Sequence, residues 1–176
     1  MKKVVLIFGG IAGTISALMF VITLPLYRSG ALDMSNGMVI GYTSMIIALS
    51  VMFFGIKSYR DNYQHGVITY GQGFKVGILI ALIAAVFYAG AWEICLKLLY
   101  PDFMEFYSAC MVKKAEAKGA TAVEMAKLQE DIVWMKEIYK KPIQRFGMTM
   151  LEIFPVGLIL ALVFPAILRK KEVLPA

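Results

Sequence analysis

The sequence contains few of the residues on which catalytic and metal sites depend. Its 176 residues include one histidine, His65, and two cysteines, Cys95 and Cys110, and only 17% are charged. A single histidine provides neither the ligand cluster of a zinc site nor, beside a cysteine or serine motif, a catalytic triad. The two cysteines form no CxxC motif, and their separate settings make a disulfide between them a poor prospect. We therefore expect no enzymatic activity, no metal and no cofactor.

Long apolar runs are what the sequence has instead. Hydrophobic residues make up 60% of the chain, and they concentrate in residues 4–24, 37–56, 74–100 and 146–168. A helix of about 20 apolar residues crosses the hydrocarbon core of a bilayer. We predict an all-α membrane protein, a single domain over residues 1–176 with four transmembrane helices. A cleaved signal peptide is the alternative for residues 4–24, but that run exceeds the usual h-region of about 7 to 15 residues.

Small residues recur at intervals of four within these runs. The third run is the most regular, with Gly73, Gly77, Ala81, Ala85 and Ala89. Apolar helices associate in lipid through close approach of such residues, so we interpret the pattern as helix packing.

Two prolines fall inside the fourth run. Pro155 and Pro165 each remove a backbone donor, which tends to kink a helix. Such a kink is either fixed geometry or a hinge, and the sequence leaves both open.

The segment between the third and fourth runs, about residues 102–140, has a different pattern. Apolar residues recur at helical spacing in two stripes, which comprise Phe103, Phe106, Tyr107, Cys110 and Met111, then Met125, Leu128, Ile132, Met135 and Tyr139. Gly119 separates the stripes, and Thr121 with Glu124 forms a capping-box pattern. We predict an external amphipathic helical hairpin. It either caps the bundle or lies on the headgroups, or it binds a protein partner with Trp134 as an anchor. A homo-oligomer is a separate alternative that the sequence leaves open.

The net charge of +6 is typical of nucleic-acid-binding proteins. The positions of the basic residues along the chain instead indicate which segments face the cytoplasm. With a cytoplasmic N-terminus, the cytoplasmic segments are residues 1–3, 57–75 and 169–176, which hold eight Lys or Arg against two acids. Basic residues near span ends mark the cytoplasmic side. Lys140, Lys141 and Arg145 oppose this orientation. We predict that both termini are cytoplasmic, that the bilayer is a partner and that nucleic acid is not.

Three ionisable residues lie within the predicted spans, where charges are costly and are candidates for function. They are Glu93, Lys97 and Glu152. The run lengths place the two carboxylates at matching depth, about 10 Å below the outer helix ends. If they face each other, one carboxylate resists ionisation, as in a proton or cation site of a small transporter. The alternative is structural pairing, Glu93 with Lys97 and Glu152 with Arg145.

A motif around the second and third runs adds a resemblance. It comprises Gly55, Ile56, Lys57, Tyr59, Arg60, Asp61, Gly66, Ile68, Thr69, Tyr70, Gly71, Gln72, Gly73, Phe74, Lys75 and Gly77. With the four-run layout, this pattern resembles the domain of unknown function 4199 (DUF4199), a bacterial family. The resemblance implies a four-helix inner-membrane protein and supplies no catalytic or binding residues. Within this candidate cytoplasmic loop motif, which also includes Asp61, we expect a headgroup-level anchor at Lys57, Tyr59, Arg60, Tyr63 and Tyr70. Gly71 and Gly73 are expected to turn the chain back into the membrane.

Overall fold

Seven α-helices form the part of the chain that the computed structural model describes, residues 1–32 and 36–170. They are α1 (Lys2–Arg28), α2 (Gly37–Leu49), α3 (Val51–Tyr63), α4 (Tyr70–Leu98), α5 (Phe103–Ala117), α6 (Ala122–Tyr139) and α7 (Pro142–Leu168). Four segments are long and apolar enough to cross a membrane. Helices α1, α4 and α7 are three of them, and α2 and α3 together form the fourth. The all-α fold with four spans is therefore confirmed.

Each span extends beyond its apolar run at one end or both, although α4 stops at Leu98, two residues before the predicted end. Each contains 27 or 29 residues, because polar residues continue the helix past the hydrocarbon region. Residues 57–63, expected in a loop, belong to α3, and α4 already begins at Tyr70. Only residues 64–69 connect these two helices. Ser50 interrupts the second span, and its hydroxyl donates to the Ile46 carbonyl at 2.7 Å.

Helix α4 lies at the centre of the bundle and makes its most extensive contacts with α7 and α1. Its row of small residues is buried, which confirms the packing interpretation. Close approach depends on small residues of the neighbouring helices as well. A Cβ added at Gly9 would lie 2.7 Å from the Ile83 Cβ, and one at Gly157 would lie 2.7 Å from the Ala81 Cβ. Both distances are too short for carbon atoms, so only glycine fits there.

Large apolar side chains cover the outside of the spans. Met38 is 75% exposed and Leu151 is 71% exposed, and others of this kind occur on all four spans. A water-facing surface of this size would be unstable, whereas lipid tails accommodate it. The outward face of the bundle is therefore its lipid-contacting surface.

Helices α5 and α6 form the hairpin between the third and fourth spans. Gly119 (φ +71°) makes the turn, where a left-handed conformation favours glycine. Thr121 and Glu124 then form the predicted capping box at the start of α6, with the Thr121 N–H donating to Glu124 at 2.7 Å. The two apolar stripes face inward but are only half-buried. Helix α6 has no fully buried residue, so the hairpin packs much less closely than the bundle.

Candidate functional site

An ion pair joins the spans at the end of the bundle that carries the hairpin. Arg145 lies in the first turn of α7, and Glu93 lies in the antiparallel α4. The guanidinium donates through Nε to Glu93 Oε1 at 2.7 Å and through Nη2 to Glu93 Oε2. Its Nη1 donates to the Tyr139 carbonyl at 2.5 Å. This bidentate pair neutralises both charges and fixes the end of α6 to the bundle.

The structure does not bring the three predicted intramembrane residues together. Glu93 contacts neither Glu152 nor Lys97 in an ion pair, and Lys97 is exposed. The predicted equal depth of the carboxylates is wrong because α7 begins at Pro142, four residues before the apolar run. At 1.5 Å per residue, Glu152 lies about 15 Å along α7, whereas Glu93 lies only about 7 Å from the end of α4. The sequence identified Arg145 only as a partner for Glu152.

Glu152 has a different environment from Glu93. Its side chain is exposed at the surface of α7, and within residues 1–32 and 36–170 it takes part in none of the ion pairs. Two hairpin tyrosines lie close enough to sense its charge. Burial raises the pKa of Tyr107, and the negative charge of Glu152 raises it further. Burial, with a smaller contribution from Glu152, raises the pKa of Tyr139 to about 12, so that hydroxyl stays protonated at neutral pH.

Aromatic side chains continue from the bundle into the hairpin. Phe20 of α1 contacts Trp92 of α4 with ring centroids 4.8 Å apart, and Trp92 meets Phe103 of α5 edge-on at 4.8 Å. Phe103 in turn stacks on Tyr139 of α6 at 6.1 Å. Aromatic pairs at these separations are favourable. The column connects four helices and holds the base of the hairpin against the spans.

A second ion pair fixes the beginning of the hairpin. Arg28, the last residue of α1, donates to Asp102 at 2.5 Å and lies over the rings of Tyr100 and Phe106, at 4.9 and 5.5 Å. The hydrogen bond from Arg28 holds the pKa of Asp102 below its ordinary value. Both ends of the hairpin are thus attached to the bundle by a charged contact, while its tip is free of the spans.

The family motif occupies the opposite end of the bundle, where it connects the α3–α4 loop to the end of α7. Ile68 and Lys170 form an antiparallel bridge, with N–H to carbonyl distances of 2.9 and 3.1 Å. Arg60 pairs with Asp61 at 2.6 Å and donates to the Leu168 carbonyl at 3.3 Å. We call these contacts the loop–tail contact. These contacts cap the C-terminal end of α7, whose last carbonyl groups have no hydrogen-bond partners within the helix.

The other motif residues support the same end of the bundle. The Tyr70 hydroxyl donates to the Leu162 carbonyl of α7 at 3.2 Å, and the Tyr59 hydroxyl accepts from Gln64 at 3.1 Å. Lys57 is exposed.

The two motif glycines do not form the turn, contrary to expectation. His65 and Gly66 form it with positive φ, and Gly71 and Gly73 both lie in the first turn of α4. Gly73 is instead required for packing, since a Cβ there would lie 2.9 Å from the Pro165 Cβ.

Substituting Arg60 should loosen the loop–tail contact without unfolding the bundle. In Arg60→Gln, we expect faster amide hydrogen exchange at residues 168–170 and at Ile68, because the α7 carbonyl end loses a charged donor. Lys57→Gln removes one exposed positive charge from the same helix and serves as the control. Exchange at the hairpin should be unchanged in both proteins. Equal exchange in the two variants at residues 168–170 would show that Arg60 does not hold this end.

Four long apolar spans with charged contacts at both ends define a multi-pass helical membrane protein. In the part of the chain that the structure describes, no three His, Cys, Asp or Glu residues are grouped as metal ligands. The chain belongs to the DUF4199 family, described as protein of unknown function, whose family model matches residues 7–170. That match confirms the family resemblance over nearly the whole chain. No curated protein and no solved structure matches the chain.

Proposed function

We propose that this protein is a non-enzymatic membrane protein that binds a partner through its helical hairpin. The observation that carries the proposal is a groove of about 510 Å³ between α5 and α6. The groove has an apolar floor that includes Val112, Ile132 and Val133, and both Lys113 and Glu116 stand at its edge. Because α6 buries no residue fully, this floor is accessible.

The groove fits an amphipathic helix of a partner protein. Such helices place an apolar stripe into a hydrophobic groove and exchange charges along its edges. Trp134 is 59% exposed and does not line the groove, so α6 presents apolar surface beside the groove as well. The ion pairs at the hairpin base fix the orientation of the groove, which reduces the ordering cost of binding. The edge of the groove carries both a positive charge, at Lys113, and a negative charge, at Glu116, which favours a partner helix that carries charges of both signs.

Site-specific photocrosslinking tests the proposal. A photoreactive residue at Val133, in the groove, should yield an adduct in native membranes whose mapped site is an amphipathic helix of one protein. The same residue at Val123 is the control, since Val123 is 79% exposed on α6 but does not line the groove. Ala109→Gln, which fills the groove, should abolish the adduct, whereas Ala126→Gln elsewhere on the hairpin should leave it. Equal labelling from positions 133 and 123 contradicts the proposal.

A small ion-coupled transporter is a second candidate, supported by Glu152 alone. Its carboxylate lies mid-span without an ion pair in the described residues, whereas Glu93 is paired with Arg145. In liposomes, this candidate predicts a pH-dependent solute flux that Glu152→Gln abolishes while leaving the free energy of unfolding unchanged. Flux by the purified protein, combined with no crosslinked partner, would favour this function over partner binding.

For its location, we propose the bacterial inner membrane with both termini cytoplasmic and the hairpin outside. The fold supports a common side for the N-terminal lysines, the α3–α4 loop and Lys170, because they share one end of the bundle. That end is rich in basic residues, as the cytoplasmic side requires.

Cysteine labelling tests the orientation. Asn62 and Lys118 are exposed at opposite ends of the structure, and each is replaced singly by cysteine in a protein lacking Cys95 and Cys110. In intact cells, an impermeant thiol reagent should label position 118 and not position 62. The reverse pattern would place the hairpin in the cytoplasm and show that Lys140, Lys141 and Arg145 dominate the topology.

A further inference from the structure

A second and larger cleft separates the hairpin base from the ends of the spans. Its volume is about 780 Å³, within the range of roughly 300–1,000 Å³ typical of small-molecule sites. The walls come from the last two turns of α4, the start of α5, the end of α6 and the start of α7. The cleft shares only Lys136 with the lining of the hairpin groove.

The cleft has an excess of positive charge. Four cations line it, namely Lys97, Lys136, Lys140 and Arg145, against two carboxylates, Glu93 and Glu105. Arg145 is neutralised by Glu93, and Lys140 pairs with Glu137 outside the lining at 2.5 Å. Within residues 1–32 and 36–170, Lys97 and Lys136 take part in no ion pair. Once the paired charges are set aside, these two ammonium groups remain against one lining carboxylate, Glu105, so the cleft keeps a net positive charge for an anion.

The other wall of the cleft is apolar and continuous with the lipid-contacting surface. Ile94 lines the cleft and is 60% exposed, and Phe87, two turns deeper on the same face of α4, is 50% exposed. Met104 and Phe103 of α5 form the opposite apolar side. A ligand in this cleft therefore meets ammonium groups at one end and a path along α4 into the hydrocarbon region at the other.

The level of the cleft matches that of lipid headgroups. Helix α4 ends at Leu98 and α7 begins at Pro142, so the cleft lies where two spans leave the membrane. The positive end of the α7 dipole lies there as well, since Pro142 is part of the lining. Phosphate groups of phospholipids occupy this depth, and basic residues near the surface attract anionic lipids.

We propose that this cleft binds one anionic phospholipid, with its phosphate on Lys97 and Lys136 and its acyl chains along Ile94 and Phe87. The charge excess selects an anionic headgroup over a zwitterionic one. The apolar wall selects a lipid over free phosphate. The site adds a specific lipid contact to the hairpin base, and it shares Lys136 with the hairpin groove.

Lipid titration of the purified detergent-solubilised protein, read by native mass spectrometry, tests the proposal. Phosphatidylglycerol should bind about 25-fold more tightly than phosphatidylcholine of the same acyl chains, since each of the two lysines contributes about fivefold. Lys97→Gln with Lys136→Gln should reduce phosphatidylglycerol affinity to the phosphatidylcholine level. Lys118→Gln with Lys127→Gln, an identical charge change on exposed hairpin positions outside the cleft, should change affinity less than about twofold.

Additional measurements distinguish binding of a lipid from binding of a free phosphate compound, and they test whether the variants still fold. Excess glycerol 3-phosphate should not displace the bound lipid, and Lys97→Arg with Lys136→Arg should retain it. The single variant Lys97→Gln, at an exposed position, should lose affinity with no change in thermal unfolding. Equal affinity for the two lipids, an equal loss in the control pair, or full displacement by glycerol 3-phosphate would each overturn the proposal.

Discussion

Replacing Arg145 with methionine should lower the free energy of unfolding by about 3 kcal/mol. The substitution leaves the Glu93 carboxylate without its bidentate partner and the Tyr139 carbonyl without its donor. The paired side chains are only 17% and 24% exposed, so water compensates little. Losing one member of a buried pair is costly because the remaining charge is unpaired. Unfolding in mixed micelles with increasing sodium dodecyl sulfate measures the difference.

The same pair permits a double-mutant test. Glu93→Gln combined with Arg145→Met removes both charges, and we expect this protein to be more stable than Arg145→Met alone. Arg145→Lys should fall between wild type and Arg145→Met, because an ammonium group cannot form two parallel bonds to the carboxylate. If the double variant is less stable than Arg145→Met by the full cost of Glu93→Gln, the two residues do not interact.

Adding one methyl group at Gly157 should destabilise the bundle by about 1–3 kcal/mol. The new Cβ in Gly157→Ala would lie 2.7 Å from the Ala81 Cβ, at the most extensive helix contact of the fold. Overpacking of this kind forces helices apart. Gly147→Ala on the same helix is the matched control, because nothing lies within 4 Å of its added Cβ. The control should be neutral or slightly stabilising, since alanine favours helix more than glycine does.

A second substitution should rescue the first. Ala81→Gly removes the methyl group that a Cβ at position 157 would strike, and the next nearest atom, the Ala81 Cα, lies 3.6 Å away. Ala81→Gly combined with Gly157→Ala should therefore recover most of the lost stability, measured by the same detergent titration. Purely additive losses in the double variant would show that these two helix faces do not meet there.

The resemblance and the loop–tail contact together explain much of the family motif. Ile68, Arg60 and Tyr70 all bond to the end of α7, and Gly73 packs against Pro165. The sequence alone predicts a headgroup anchor that includes Arg60 and Tyr70, and a glycine turn that includes Gly73. The spacing could not indicate their partners, because those partners are more than 90 residues away in the chain.

The sequence by itself determined the number of spans, the hairpin helices and the small-residue face of α4. Each of these depends on local composition and on periodicity of 3.6 residues, which a single segment contains in full. Only the tertiary structure decided which charges meet. Glu93 pairs with Arg145, 52 residues later, because α7 packs against the antiparallel α4 with its first turn, which starts at Pro142, beside Glu93. Hydrophobic patterning indicates where a membrane ends along a helix, but the relative depth of two helices follows from their packing.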